Sequence, residues 1–391
     1  MIPRIAKYSF LLVIFALFLY SFTQVDLSLT LSQVSVWQII QKSFQQIGWF
    51  NRPLSTLLFV SISSLMFVYY TWFLRKAFRK QIKIKEVWTL VVATSIILAF
   101  SYNAFSYDLF NYIFDAKIVT AYHANPYVHK ALDFPGDPML SFMRWTHRVY
   151  PYGPVWLGLS VPLSFVGMNF FLLTFFLFKF MIAGFYLGSV YLVYKINQKI
   201  NSGSEMFNTV LFALNPLVII ESLVSSHNDI VMIFFALLGL YSYFMKKKIL
   251  SILLIIASSQ IKIPTIALIL PVALSFIPFK TKVDNNKFVL ISIVSMFAVL
   301  IYALTKVEIQ PWYFLWLLPF LALLKPNKYI ITGSIGLSLG LLLRYVVLLY
   351  FGNWDGIGIP LRNAFTIIAP IALLLIVFLH DKSKSLHRAR S

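Results

Sequence analysis

YNAFSYDLFNYIFDAKIVTAYHANPYVHKALDFPGDPMLSFMRWTHRVYPYGPVW, residues 102–156, is the longest part of the chain that is not simply apolar. It holds four of the 13 acids (Asp108, Asp115, Asp133, Asp137) and three of the six histidines (His123, His129, His147). Lys117, Lys130, Arg144 and Arg148 balance those acids to a local charge of zero, in a chain whose formal charge is +20. On either side the sequence is apolar runs joined by short basic turns. One polar loop set among apolar segments decides the fold class, and it is where chemistry is expected.

Hydrophobic residues make up 60% of the 391 and charged residues 12%, against about half and about a quarter in a soluble domain. The reading is an all-α, polytopic integral membrane protein, a single transmembrane domain over 1–391. Inside lipid, a helix satisfies its own backbone polar groups, so each long apolar run is read as one. The positive charge sits in the turns, which is the pattern that sets membrane orientation and gives no support to a nucleic-acid partner. The chain has no cysteine, which removes disulfides, a thiol nucleophile and cysteine-based metal sites. MIPRIAKYSFLLVIFALFLYSF (1–22) lacks a small-residue cleavage site and is expected to stay as the first span.

Spans are expected at about 6–24, 54–74, 87–105, 170–194, 207–224, 229–245, 249–260, 263–278, 288–305, 312–324, 329–351 and 360–380, in a cell-membrane protein with both termini cytoplasmic. That makes about 12 crossings, with 154–167, short for a span of roughly 20 residues, as a re-entrant or interfacial helix. Pro264 and Pro271 suggest that 249–278 is two half-depth helices. RKAFRKQIKIKE (75–86), Lys246–Lys248, Lys280/Lys282/Lys287, Lys325/Lys328 and the tail from Asp381 then face the cytoplasm. The loop 106–153 and the turns SSHND, KVEIQPW and GNWDGIG face outward.

If the third span continues as a helix past its end, Asp108, Asn111, Tyr112 and Asp115 form one polar stripe at i, i+3, i+4, i+7. The plain alternative is a solvated interfacial face. A carboxylate at the edge of a low-dielectric region can serve as a general base, so Asp108 and Asp115 are the catalytic candidates. Glu221 lies inside an apolar run, close to His227-Asn228-Asp229. An ionisable group placed there is costly and points to function, although Asp229 could simply cap the helix that follows. Lys262 and Arg344 are single cations in apolar surroundings, suited to a phosphate as a point charge and a bidentate donor, or else to pairing with a structural carboxylate such as Glu221. Lys179, near mid-span, is read only as paired or snorkelling. QPWYFLWLLPF (310–320) reads as an interfacial aromatic belt. There is no Walker loop, GxGxxG unit, HExxH or GxSxG element, so ATP, dinucleotide, zinc-protease and serine-hydrolase readings lose support.

FSYDLFNYIFDAKI, Asn125-Pro126-Tyr127 and YPYGPVW resemble the first external loop of the GT-C superfamily of polytopic glycosyltransferases. NPLVIIESLVSSHNDIVMIFFALLGL and QPWYFLWLLPF are similar to segments of prokaryotic polyprenol-phosphate-mannose-dependent mannosyltransferases; the resemblance covers about 87–325. It implies a GT-C fold, a polyprenyl-phosphate sugar donor, a lipid or glycan acceptor, and transfer of a hexose, expected to be mannose, outside the membrane. It maps the loop base onto Asp108 and a second external acid near the donor onto Asp229. Phe110 stands where relatives complete an Asp-x-Asp pair, so no cofactor is certain and a divalent metal stays open. Asn111, Tyr112, Asn125, Tyr127, Tyr152, Glu221, His227 and Asn228 are candidates to bind substrate, with Arg144, His147, Arg148, Lys262 and Arg344 for the leaving phosphate. An inverting displacement needs one base on the acceptor and positive charge on the departing phosphate. Three other readings fit some of these residues: a transporter or flippase of lipid-linked sugars, a non-catalytic assembly subunit, and an oligosaccharide ligase or polymerase.

Overall fold

The computed structural model describes residues 2–277, 284–353 and 358–390. The chain is all helical: among the described residues there is no strand, only an isolated antiparallel bridge between Lys130 and Val149. Helix α1 (Arg4–Ser21) is followed by an amphipathic α2 (Ser35–Gln45), which exposes Val36, Trp37, Ile39 and Ile40. Then come α3 (Arg52–Phe78), α4 (Ile84–Ala99), α5 (Asp108–Thr120), α6 (Pro154–Val166) and the long α7 (Phe171–Ile200). The rest of the bundle is α8 (Glu205–Ala213), α9 (Pro216–Ile219), α10 (Asp229–Phe244), α11 (Lys248–Ser259), α12 (Ile269–Leu274), α13 (Asn285–Leu304), α14 (Leu318–Leu321), α15 (Lys328–Phe351) and α16 (Gly358–Arg390).

Among the described residues, six helices are long and apolar enough to cross a membrane: Arg4–Gln24, Arg52–Phe78, Phe171–Ile200, Asn285–Leu304, Lys328–Phe351 and Gly358–Lys384. A seventh is possible as the bent pair Glu205–Ala213 and Pro216–Val224, which turn by 54°. The other expected spans are helical but short. Those over 229–260 and 311–321 appear as 10–17-residue apolar helices, and the span expected at 263–278 is a 3₁₀ segment (Ile263–Leu268) running into α12, its residue 278 lying outside the described residues. The turn with Lys280 and Lys282, and most of the GNWDGIG turn, lie outside the described residues.

Local chemistry sets the ends of these helices. The Asn51 side chain accepts from Leu54 N (3.3 Å), Asp284 from Lys287 N (2.8 Å) and Asn327 from Tyr329 N (3.0 Å), each filling an orphan donor of a first turn. Helix α15 ends at Gly352, whose φ of +76° a side chain would resist. Between α8 and α9, Asn215-Pro216 interrupts the helix, and buried backbone freed by such a break must find partners. Tyr70 donates to the Leu211 carbonyl (2.8 Å) and Tyr186 to the Ala213 carbonyl (2.6 Å). Asn215 itself donates to Ser338 Oγ (2.9 Å), tying the break to α15. Helices α15 and α16 pack closely because Gly340 is small: a Cβ there would sit 2.5 Å from the Phe365 carbonyl oxygen.

The third expected span does not run on through Asp108. Helix α4 stops at Ala99, residues 100–107 are non-helical, and α5 starts afresh at Asp108. The break is held by Ser21 Oγ accepting from Tyr102 N (2.9 Å) and by Tyr107 donating to Asp26 (2.9 Å). The polar stripe therefore exists, on a helix of its own that can be angled independently of α4.

Candidate functional site

Helix α5 presents Asp108 and Tyr112 to the turn between the broken span and α10. Asp108 Oδ2 lies 3.4 Å from His227 Nδ1, and Glu221 Oε2 lies 3.3 Å from His227 Nε2. One imidazole thus stands between two carboxylates, at ion-pair distance from each. Glu221, His227 and Asp229 are completely buried, whereas the Asp108 side chain is 19% exposed. Glu221 sits on a wide turn of π-helix, Ile220–Val224, and takes a hydrogen bond from Tyr345 (2.9 Å). That turn shifts the register by one residue, and Ser226 adopts φ +54° just before His227.

The charges explain one another. Burial alone would lower the His227 imidazole, but the two carboxylates outweigh it and raise it to about 9. Burial alone would raise the Asp108 carboxyl, but His227, with Lys262 and Arg148 further off, holds it below the usual range. Asp115 has no such partner. It makes no ion pair or hydrogen bond among the described residues, and burial pushes its carboxyl up to about 8.

Asp229 does not cap α10 with its side chain. Its carboxylate instead receives Lys262 at 2.9 and 3.1 Å and the Trp316 indole N–H at 2.6 Å. Lys262 also lies over the Tyr152 ring, 5.9 Å from its centroid. Tyr112 donates to Asn228 Oδ1 (3.2 Å) and meets Tyr152 and Trp156 edge-on. Asp108, Tyr112, Tyr152, Glu221, His227, Asn228, Asp229 and Lys262 are brought together.

The other expected site residues are placed differently. Asn111 donates to the Arg144 carbonyl (2.7 Å), which pins the loop to α5. The Asn125 side chain accepts from Tyr127 N (3.0 Å) in a local turn, and Tyr127 packs on Tyr150. Arg144 lies over the Tyr107 ring (5.0 Å) and Arg148 over Trp145 (4.3 Å), both exposed, as is His147 beside Trp145. Arg344 is fully buried and committed to Glu308, with Asn363 and Thr366 at 3.1 and 3.2 Å. The carboxylate-paired alternative is what is found, with Glu308 as partner and not Glu221. Arg362 meets the same Glu308 at 3.0 Å.

Sequence reading missed the aromatic lid. Trp312 and Trp316, expected in an interfacial belt, lie on a 3₁₀ turn (Pro311–Trp316) directed at the cluster. Trp312 stacks on His227 with centroids 4.1 Å apart. Tyr345 was also missed, and its neighbour Arg344 was the only hint in that helix. Among the described residues, no three His, Asp or Glu side chains converge as a metal site. Asp108 and Glu221 are on opposite sides of the imidazole and Asp229 is occupied by Lys262, so this donor set does not fit a divalent ion.

Residues 14–278 match the family model described as the alpha-(1->6)-mannopyranosyltransferase N-terminal domain of the MptA_B family. No curated protein and no solved structure matches the chain.

Proposed function

We propose, given that this chain belongs to the MptA_B alpha-(1->6)-mannopyranosyltransferase family and is a glycosyltransferase, that it moves mannose from a polyprenyl-phosphate donor to a lipid-linked or glycan acceptor. In this reading the chain is one GT-C transmembrane domain of about 12 crossings, counting the short helices, and 106–153 is the extracytoplasmic loop that carries the site. No nucleotide sugar is available outside a membrane, so a lipid-linked donor suits that placement.

Asp108 is the acceptor's base. The acceptor oxygen bonds to C1 of mannose, the C1–O bond to phosphate breaks with its electron pair leaving on the phosphate, and the acceptor proton passes to Asp108. A carboxylate held below its usual pKa is a weak base, so it acts late, as the acceptor oxygen acidifies on bonding to carbon. Lys262 and Arg148, the cations close enough to influence Asp108, lie where positive charge would favour the departing phosphate. Asp115 is assigned to orienting substrate.

The observation carrying this reading is the difference in access. Asp108 is reachable, while Glu221 and Asp229 are fully buried and already partnered. Asp115 is two turns along α5, roughly 10 Å at 1.5 Å per residue. A retaining displacement needs a second carboxylate at about 5–5.5 Å, so the arrangement favours inversion. The test is transfer by purified protein from a polyprenyl-phosphate mannose to an alkyl mannoside. Asp108→Asn should lower the rate by about 10²–10⁴-fold while eluting as wild type does, and Asp115→Asn should be milder. Near-normal turnover in Asp108→Asn removes it as the base, and a wild-type protein inert with this donor removes the donor assignment.

A further inference from the structure

Lys179 lies in the first third of α7, 1% exposed, with no carboxylate at ion-pair distance among the described residues. A buried cation without a counter-ion is costly, so its contacts should say what it is kept for. Its Nζ donates to the carbonyls of Leu223 and Val224 (3.0 Å to the latter) and to Ser101 Oγ (3.1 Å). The two carbonyls close the π-turn that carries Glu221, directly ahead of Ser225–Asn228 and hence of His227. Ser101 is the second residue of the non-helical segment that leads to Asp108, and its own hydroxyl donates to the Leu98 carbonyl at the end of α4 (2.6 Å).

These are the two backbone segments whose side chains face each other in the site. One nitrogen reaches three acceptors, two on one segment and one on the other. The negative end of the π-turn is satisfied by the same group that fixes the approach to Asp108. Among the described residues, Lys179 is the side chain that hydrogen-bonds both Ser101 and the Leu223–Val224 turn. We infer that Lys179 is a positioning residue for the transfer: it clamps the Asp108 segment to the Glu221–His227 segment and so sets the Asp108–His227 separation.

The inference rests on the assignment of Asp108 above, so Asp108→Asn is run alongside. Lys179→Met keeps the length and removes the charge and donors. It should lower kcat by up to about 10²-fold, the cost of a displacement near 1 Å, with the KM for polyprenyl-phosphate mannose unchanged. The alkaline limb of its pH profile should also move down, because His227 loses part of the carboxylate contact that holds its proton. Ser101→Ala leaves the carbonyl contacts in place and removes the link to the Asp108 segment together with the Ser101–Leu98 hydrogen bond, so it should reproduce the kcat loss in smaller measure. Combined with Lys179→Met it should add little. A lysine that merely filled the π-turn carbonyls would cost thermal stability and leave the kcat and pH limbs of the folded protein untouched. Wild-type kcat and limbs in Ser101→Ala, and in Lys179→Met where it folds, overturn the clamp. Should Lys179→Met not fold, Ser101→Ala decides alone. If Asp108→Asn is fully active, the site assignment fails; if it is inactive while the Lys179 and Ser101 variants behave as wild type, only the clamp fails.

Discussion

Trp312 lies almost flat on His227, ring centroids 4.1 Å apart and planes 26° from parallel. The indole covers one face of an imidazole whose two nitrogens each face a carboxylate. A cation over an indole gains about 0.5–2 kcal/mol, and the ring also keeps water from the charges beneath it. We predict that Trp312→Ala lets the His227 pKa fall back from about 9 toward its ordinary 6.5. The direction follows because the carboxylates outweigh burial at present, so wetting the site weakens the larger effect. A histidine titration followed by NMR checks this, with Trp312→Phe intermediate; an unmoved titration in Trp312→Ala would show that the stack has no electrostatic role.

Asp108 and His227 together fix a pH profile. The working state has Asp108 ionised and His227 protonated. Asp108 is lowered from 3.8, so its share of stability is complete above that value and lost as pH falls through the lower folded pKa. His227 is raised from 6.5 to about 9, so its share is complete below 6.5 and lost as pH rises through about 9. We expect kcat/KM to be flat across neutral pH, with an acidic limb below the usual carboxylate range and an alkaline limb near 9. Asp115 provides the contrast, since its carboxyl ionises only near 8. A rate that climbs through pH 8 would transfer the base from Asp108 to Asp115.

Lys262 and Arg344 should separate under mutation. Lys262 is partly exposed beside the cluster, and Lys262→Ala is expected to raise the donor KM, a charge-assisted contact being worth about 1.5–3 kcal/mol. Because that change also strips Asp229 of its cation, Lys262→Met with Asp229→Asn is the control that keeps the site neutral. Arg344 is fully buried on Glu308, so Arg344→Ala should lower the melting temperature and leave donor kinetics alone. A normal melt with a raised donor KM in Arg344→Ala would return the phosphate to that arginine.

Much of this was legible locally. Apolar runs gave the helices, the i, i+3, i+4, i+7 pattern gave the α5 stripe, and Glu221 stood out because a carboxylate in an apolar run needs a reason. What was not legible depended on long-range pairing. A tryptophan over a histidine and a tryptophan at a lipid interface have the same local sequence, so Trp312 and Trp316 read as a belt. The stop of α4 at Ala99 is invisible in AFSYNAF, because Ser21 and Asp26, which hold the break, are some 80 residues away in the chain. Lys179 gave no account of itself because its partners are two backbone carbonyls and a serine 78 residues away, which no local side-chain pattern announces.

Sidedness is the last expectation. The dense basic segment 75–86 and the polar loop 106–153 flank α4, and the positive-inside bias puts the former in the cytoplasm and the latter outside. Because the chain has no cysteine, single introduced cysteines report their own position. The choice of position matters: Ser225 and Ala77, though close to the segments in question, are buried and would stay silent on either side. Val128 and Arg79 are exposed, the former in the polar loop and the latter just past α3. We predict that an impermeant thiol reagent labels Val128→Cys in intact cells and labels Arg79→Cys only after permeabilisation. The opposite pattern would place the Asp108 cluster on the cytoplasmic side, where nucleotide sugars are available, and the argument for a lipid-linked donor would lose its footing.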